Sequence, residues 1–245
     1  MSTKEKNRGL SYFRMKNTDD LSGFDLKIVE FFADLPGRSK REELLNALTH
    51  AVVALLSIPV FFYLIYISLY SNKDHATLSA LIYGLSIIVL FFSSSIYHYT
   101  DDVYTKKKFR ILDHCSIFVF ITGNYAPLLL LTIGGSVGWI MLCALLILSF
   151  TGIILKIRFT GSYDWFFVSL YVFMAWLGIL QVNNLANLLP STALHLLFWG
   201  GMAYMVGIAF YKAESKIPYA HLIWHLFVVL GALLHFFAIT NYVIV

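Results

Sequence analysis

Two histidines near the carboxyl end of the chain have the spacing of paired metal ligands. His221 and His225 stand four residues apart in an apolar run, so on a helix both imidazoles lie on one face, with Cβ atoms about 5–6 Å apart. This spacing lets two imidazoles bind one zinc ion, as in helical zinc proteases. A third imidazole, from His98, would leave the fourth position for water, which is typical of a catalytic zinc site. The alternative is that each histidine is buried and bonded to a backbone carbonyl.

Two further residues in apolar runs have the chemistry of catalytic groups. Asp113 can accept a proton from water beside such a metal ion and act as the general base. Ser94 stands one helical turn before His98, where its hydroxyl can donate a hydrogen bond to an oxyanion or simply hold a ligand. We therefore predict catalytic roles for Asp113 and Ser94.

Four more polar residues are predicted to support the site. Glu43, Asn46 and His50 follow the spacing i, i+3, i+7, which puts them on one face of a helix. His50 can be a hydrogen-bond partner of the site. His235 lies about 15 Å deeper along its helix than His225, at about 1.5 Å per residue, and can equally be a core histidine with its own partners.

The composition is that of a membrane protein with several spans. Of 245 residues, 59% are apolar and 13% are charged, and the mean hydropathy is +0.73, whereas a soluble domain is about 25% charged. The two cysteines, Cys115 and Cys143, lie in apolar runs and provide neither a disulfide framework nor a cysteine zinc cluster. A soluble globular domain is excluded.

The apolar runs divide the chain into seven predicted spans, since about 20 residues are needed to cross the hydrocarbon. The fold class is thus an all-α integral membrane protein, a seven-transmembrane helix bundle. The predicted spans cover residues 44–70, 77–99, 111–132, 137–155, 165–182, 192–211 and 219–242.

The positive residues predict one orientation, because cytoplasmic loops carry an excess of lysine and arginine. Only Lys73 lies in a connection on the opposite side. The amino terminus is therefore predicted to be cytoplasmic and the carboxyl terminus to be outside. The positive residues on the cytoplasmic side are Arg38, Lys40, Arg41, Lys106, Lys107, Lys108, Arg110, Lys156, Arg158, Lys212 and Lys216.

This topology places the polar residues at one depth. Spans one, three and seven begin on the cytoplasmic side and span two ends there, so their polar residues all lie in the cytoplasmic half of the bilayer. Ionisable residues inside a membrane usually face the bundle interior and pair with one another. Four helices can thus contribute to a single site just beneath the inner headgroups.

The amino-terminal segment, residues 1–41, is predicted to be a cytoplasmic unit separate from the seven-transmembrane domain of residues 42–245. Phe24, Ile28, Phe31, Phe32 and Leu35 recur with helical spacing among charged residues. This pattern predicts an amphipathic helix that lies along the membrane surface or packs on cytoplasmic loops.

Four blocks of this sequence resemble the signatures of the hemolysin III family, within the progestin and adipoQ receptor superfamily. They cover roughly residues 42–240, in order and at the expected ends of the spans. Asn124 and Ala126 depart mildly from the family pattern, in which Ser or Thr is commoner. The blocks are Glu43-Leu-Leu-Asn46-Ala-Leu-Thr49-His50, Ser93-Ser94-Ser95-Ile-Tyr97-His98, Leu112-Asp113-His114 with Gly123-Asn124-Tyr125-Ala126-Pro127, and the segment from His221 to Phe237.

The resemblance implies seven helices, a cytoplasmic amino terminus and an intramembrane zinc. The zinc ligands of the family correspond to His98, His221 and His225. The aspartate that contacts zinc through water corresponds to Asp113, and the motif serine to Ser94. Because the superfamily includes alkaline ceramidases, the resemblance also implies hydrolysis of lipid amides and a part in membrane-lipid homeostasis.

Our leading expectation is a zinc-dependent hydrolase of lipid amides or esters in the bacterial inner membrane. Its partner would be a membrane lipid, as substrate or ligand; neither nucleic acid nor an oligomer is indicated. Two alternatives stay open. One is a receptor or lipid sensor with structural zinc. The other is a haemolytic protein, although the uniformly apolar spans offer no polar stripe to line a pore.

Overall fold

The structure, a computed structural model, describes residue 35, residues 37–159 and residues 162–245. Phe24, Ile28, Phe31 and Phe32 are not among them. The predicted amino-terminal amphipathic helix therefore lies outside the described residues.

Within the described residues, seven helical segments are long and apolar enough to cross a membrane. Each has at least 23 residues and, at about 1.5 Å per residue, exceeds the roughly 30 Å of hydrocarbon. The predicted seven-helix membrane fold is confirmed. The segments are α1 (Lys40–Leu69), α2 (Ala76–Tyr99), α3 (Val103–Ile133), α4 (Gly135–Arg158), α5 (Asp164–Leu188), α6 (Ser191–Ala213) and α7 (Ala220–Ile244).

Helix α3 begins eight residues before the predicted span. The carboxylate of Asp102 accepts a hydrogen bond from the Thr105 backbone N–H at 2.9 Å and caps the helix, which satisfies one of its free donors. Hydrogen bonding from Thr105 also lowers the pKa of Asp102. Asp113, the third residue of the predicted span 111–132, therefore lies about three turns from the amino-terminal end of α3.

Three of the helices change their winding within the bundle. Pro127 has no backbone N–H to donate, and α3 continues after it as a π-helix over Leu128–Ile133. Helix α5 passes through a 3₁₀ turn at Leu177–Gln181 and regains α-geometry over Val182–Leu188, where the sequence predicted a polar connection. Helix α7 ends as a π-helix over Thr240–Ile244.

The helices pack chiefly against their sequence neighbours, and α7 closes the bundle by packing on α1. One buried apolar cluster joins α1, α2, α3 and α7, and Phe91 and Tyr83 are among its largest members. A second cluster joins α3, α4 and α5 around Phe118 and Met174. His98, at the end of α2, and His221, at the beginning of α7, have ring centroids 5.0 Å apart, so these two helix ends lie at the same end of the bundle. That end also carries Arg38 and Lys106. We call it the basic end.

Large apolar side chains cover the outside of the bundle. Leu55 is 64% exposed, Ile147 67% and Leu180 70%. A soluble protein rarely shows contiguous apolar surface of this kind, whereas hydrocarbon chains cover it readily. The outward faces of α1, α4 and α5 are thus suited to contact lipid.

Adjacent glycines in α6 provide a matched test of this packing. A Cβ at Gly200 would overlap the His235 ring on α7, whereas a Cβ at Gly201 would meet nothing within 4 Å. Gly200→Ala is expected to destabilise the protein by about 1–3 kcal/mol, as overpacking typically does, and Gly201→Ala to leave it unchanged or more stable. Thermal unfolding in detergent measures both, and equal melting temperatures would contradict the packing of α6 on α7.

Candidate metal centre

Three buried histidines meet at the basic end of the bundle. His98 lies in the last turn of α2, and His221 and His225 lie in the first two turns of α7. One nitrogen from each ring lies within 4.8 Å of the other two. The ring centroids are 5.0 Å apart for His98 and His221 and 4.8 Å apart for each of the other two pairs.

These histidines form a set of donors that can hold a metal ion. In the described part of the chain, no other group of three or more histidine, cysteine or acidic side chains meets this condition. The predicted convergence of His98 with the His221/His225 pair is therefore what the fold produces. Neutral imidazole suits zinc, copper, iron and nickel, so the geometry alone does not identify the metal.

Each of the three rings has its Nδ1 atom engaged. His98 Nδ1 lies 2.8 Å from Glu43 Oε2, and His221 Nδ1 lies 2.8 Å from Glu214 Oε2. His225 Nδ1 donates to the Asn46 backbone carbonyl at 3.3 Å. With Nδ1 occupied, Nε2 is the ring atom available to a metal ion.

The Nε2 atom of His98 is buried and has no hydrogen-bond partner among the described residues. A buried polar atom without a partner is costly in a protein interior. A shared cation would satisfy this atom. The backbone-carbonyl alternative raised by the sequence applies only to His225, and there only to Nδ1.

Asp113 and Ser94, the residues with predicted catalytic roles, contact each other beside the three histidines. The Ser94 side chain lies close to the carboxyl group of Asp113, and Ser94 is buried one turn from His98 on α2. Asp113 does not belong to the group of nitrogens that can share an ion. The carboxyl group is thus placed next to the centre, through α2, without being a direct ligand.

His50 and Asn46, predicted to support the site, lie on α1 against His225. The His50 ring stacks on the His225 ring with centroids 3.7 Å apart. Neither nitrogen of His50 and neither amide atom of Asn46 has a hydrogen-bond partner within the described ranges. Both residues therefore present buried polar atoms at the centre.

His235, the fourth predicted supporting residue, belongs to a different environment. Its Nε2–H donates to the Leu197 carbonyl at 3.0 Å, and its Nδ1 accepts from the Asn124 amide at 2.9 Å. These bonds connect α7 to α6 and α3. The structure thus places His235 as a core histidine with its own partners, the second of the two possibilities that the sequence left open.

The sequence pattern does not indicate two residues of the site. Arg38, before α1, and Glu214, after α6, form an ion pair with each other, and Arg38 Nη1 lies 3.5 Å from Glu43 Oε1. Burial alone would lower the pKa of the Arg38 guanidinium, but the charges of Glu214 and Glu43 hold that pKa above its ordinary value. One signal was present in the sequence: Glu214 is an acidic residue in an otherwise basic connection.

The chain matches a known protein family. A family model described as Haemolysin-III related matches residues 38–236. The chain is 38% identical to Hemolysin-3 of Bacillus cereus over 208 residues, which is 83% of this chain and 93% of that protein. It is 37% identical to the Hemolysin-3 homolog of Bacillus subtilis (strain 168) over 202 residues, 82% of this chain and 94% of that protein.

A mammalian relative is also similar. The chain is 29% identical to the Monocyte to macrophage differentiation factor of Homo sapiens over 208 residues, 82% of this chain and 84% of that protein. Seven membrane-spanning helices together with the bacterial relatives fit a multi-pass bacterial membrane protein.

Metal content tests the three-histidine centre. Wild-type protein is expected to contain about one metal ion per chain, and His98→Ala and His221→Ala are each expected to lose it, because two imidazoles bind a metal ion much more weakly than three. Elemental analysis of the purified, folded variants measures this. His195→Ala, at an exposed position on α6, is the control and should retain the metal.

Full metal content in His98→Ala would show that the ion binds elsewhere and would contradict this centre. Loss of metal from His195→Ala as well would show that the loss is not specific to it.

Proposed function

This chain belongs to the haemolysin III family, and we propose that it is a zinc-dependent hydrolase of lipid amides or esters. The observation that carries the proposal is the open set of donors. Three buried imidazoles can share one ion, and among the described residues no fourth histidine, cysteine or acidic ligand joins them. Three protein ligands with an open position are typical of catalytic zinc, whereas structural sites have four.

The residues present fit zinc on two grounds. Zinc is bound by neutral imidazole nitrogen, and the buried Nε2 of His98 has no other partner among the described residues. When bound, zinc supplies a Lewis acid that polarises a carbonyl group and makes water nucleophilic near neutral pH. His98, His221 and His225 would hold it.

A side chain of the protein would transfer the proton of the attacking water. Asp113 would accept a proton from the attacking water and return it to the leaving amine or alcohol as the bond to the acyl carbon breaks. Ser94, which lies close to Asp113, would orient the carboxyl group by donating a hydrogen bond to it. Asp113 lies on α3 and the histidines on α2 and α7, so packing of these helices sets the distance between base and substrate.

The position of the centre suits a lipid substrate. His225 lies five residues into α7, about 8 Å along the helix at about 1.5 Å per residue, which is near the depth of the acyl linkage of a membrane lipid. By the positive-inside rule, the basic end would face the cytoplasm. The substrate would then come from the inner leaflet.

Asp113→Asn tests the proposed general base. The substitution removes the base but not a metal ligand, so it is expected to lower kcat about 10²- to 10⁴-fold while the metal content stays that of wild type. Turnover of a short-chain ceramide and of a phospholipid ester by zinc-loaded protein provides the measurement. Asp101→Asn, an exposed position between α2 and α3, is the matched control.

Two outcomes would contradict the proposal. If wild-type protein with zinc bound hydrolysed neither lipid while a purified ceramidase did so under the same conditions, hydrolysis would be excluded for these substrate classes. If Asp113→Asn retained wild-type kcat, Asp113 would not be the base.

The name of the Bacillus cereus relative, Hemolysin-3, favours one other candidate function, damage to membranes. Leakage of dye from liposomes separates the two functions. Leakage that persisted in a variant with all three histidines replaced by alanine would support membrane damage independent of the metal centre. If the leakage instead results from lipid hydrolysis at the metal centre, it should disappear when the three histidines are replaced.

A further inference from the structure

Two carboxylates of the basic end contact two different rings of the metal centre, and a single arginine contacts both carboxylates. Glu43 belongs to α1 and contacts His98 of α2; Glu214 follows α6 and contacts His221 of α7. Arg38, 7% exposed, lies between them. These contacts connect four segments of the chain next to the metal centre: α1, α2, the connection after α6, and α7.

The surroundings of His221 Nδ1 decide which nitrogen of the ring can bind a metal. Arg38 Nη2 lies 2.9 Å from this atom and Glu214 Oε2 lies 2.8 Å from it. A guanidinium only donates hydrogen bonds and a carboxylate only accepts them, so the ring can satisfy one of the two. If Arg38 donated to Nδ1, the proton of the neutral ring would be on Nε2, and that atom could not bind a metal ion.

Glu214 favours the opposite arrangement. Arg38 Nη2 already donates to Glu214 Oε2, and the same carboxylate oxygen can accept from His221 Nδ1–H. Nε2 then keeps its lone pair for the metal. Glu43 acts in the same way on His98, since its Oε2 accepts from Nδ1–H while Lys106 Nζ approaches the same oxygen at 3.1 Å.

We propose that Glu43 and Glu214 are positioning residues that fix the metal-binding tautomer of His98 and His221, and that Arg38 holds both carboxylates in place. The inference rests on the proposed metal centre and adds which residues keep its histidines in the tautomer that binds the metal. Carboxylate partners of metal-binding histidines typically change metal affinity about 10- to 100-fold when removed.

Zinc affinity of full-length protein in detergent, measured by competition with a chelator, is the test. Glu43→Gln and Glu214→Gln are each expected to weaken zinc binding about 10- to 100-fold. Arg38→Lys is expected to weaken it as well, because lysine keeps the charge but cannot bridge two carboxylates as a guanidinium does. Glu42→Gln is the matched control: it removes the same charge from the same turn of α1, and Glu42 makes no side-chain hydrogen bond or ion pair in the described part of the chain.

Cobalt provides a readout that a merely structural role would not change. The visible absorption of Co²⁺ depends on the geometry of its ligands, so Glu43→Gln and Glu214→Gln saturated with Co²⁺ should show an altered spectrum, while Glu42→Gln should match wild type. Unchanged zinc affinity and an unchanged cobalt spectrum in the folded Glu43 and Glu214 variants would overturn the proposal. So would weakening of the same size in Glu42→Gln, since it would reduce the effect to net charge.

Measurements on the wild-type protein distinguish loss of the metal centre from loss of the positioning role. Wild-type protein that binds neither zinc nor cobalt would refute the metal centre itself. Wild-type protein that binds zinc with the same affinity as the Glu43 and Glu214 variants would leave the centre intact and refute only the positioning role.

Discussion

A buried imidazole in a bundle that crosses a membrane must find its partners inside the bundle, because hydrocarbon offers none. His98, His221 and His225 meet this constraint together. Their Nδ1 atoms bond to Glu43, Glu214 and the Asn46 carbonyl, and one nitrogen of each ring lies close enough to the other two to share one ion. The positions of α1, α2 and α7 are therefore coupled to a single polar centre.

The same constraint explains where the polar side chains of the bundle lie. The basic end concentrates charged and polar side chains from α1, α2, α3 and α7, whereas the clusters around Phe91 and Phe118 are apolar. His235 shows how an isolated imidazole is accommodated away from that end, with one donor and one acceptor bond to neighbouring helices. His235 thus has a local pair of partners, whereas His98, His221 and His225 belong to one common network.

Much of this could be predicted from the sequence, because helical spacing and membrane topology fix both the face and the depth of a residue. His98 and the His221/His225 pair were identified in this way. Arg38 and Glu214 were not, since they lie in segments outside the spans, whose path no periodicity determines. The start of α3, eight residues before the predicted span, depends on the Asp102 cap rather than on hydrophobicity, so the number of turns that precede Asp113 could not be predicted from the apolar pattern.

The central claim is that three imidazoles from two distant parts of the chain bind one ion. X-ray diffraction from zinc-loaded crystals, with data collected on both sides of the zinc absorption edge, tests it directly. The expected result is one anomalous peak per chain, about 2.0–2.1 Å from the Nε2 atoms of His98, His221 and His225. A peak coordinated by other residues, or none between these three rings, would contradict it.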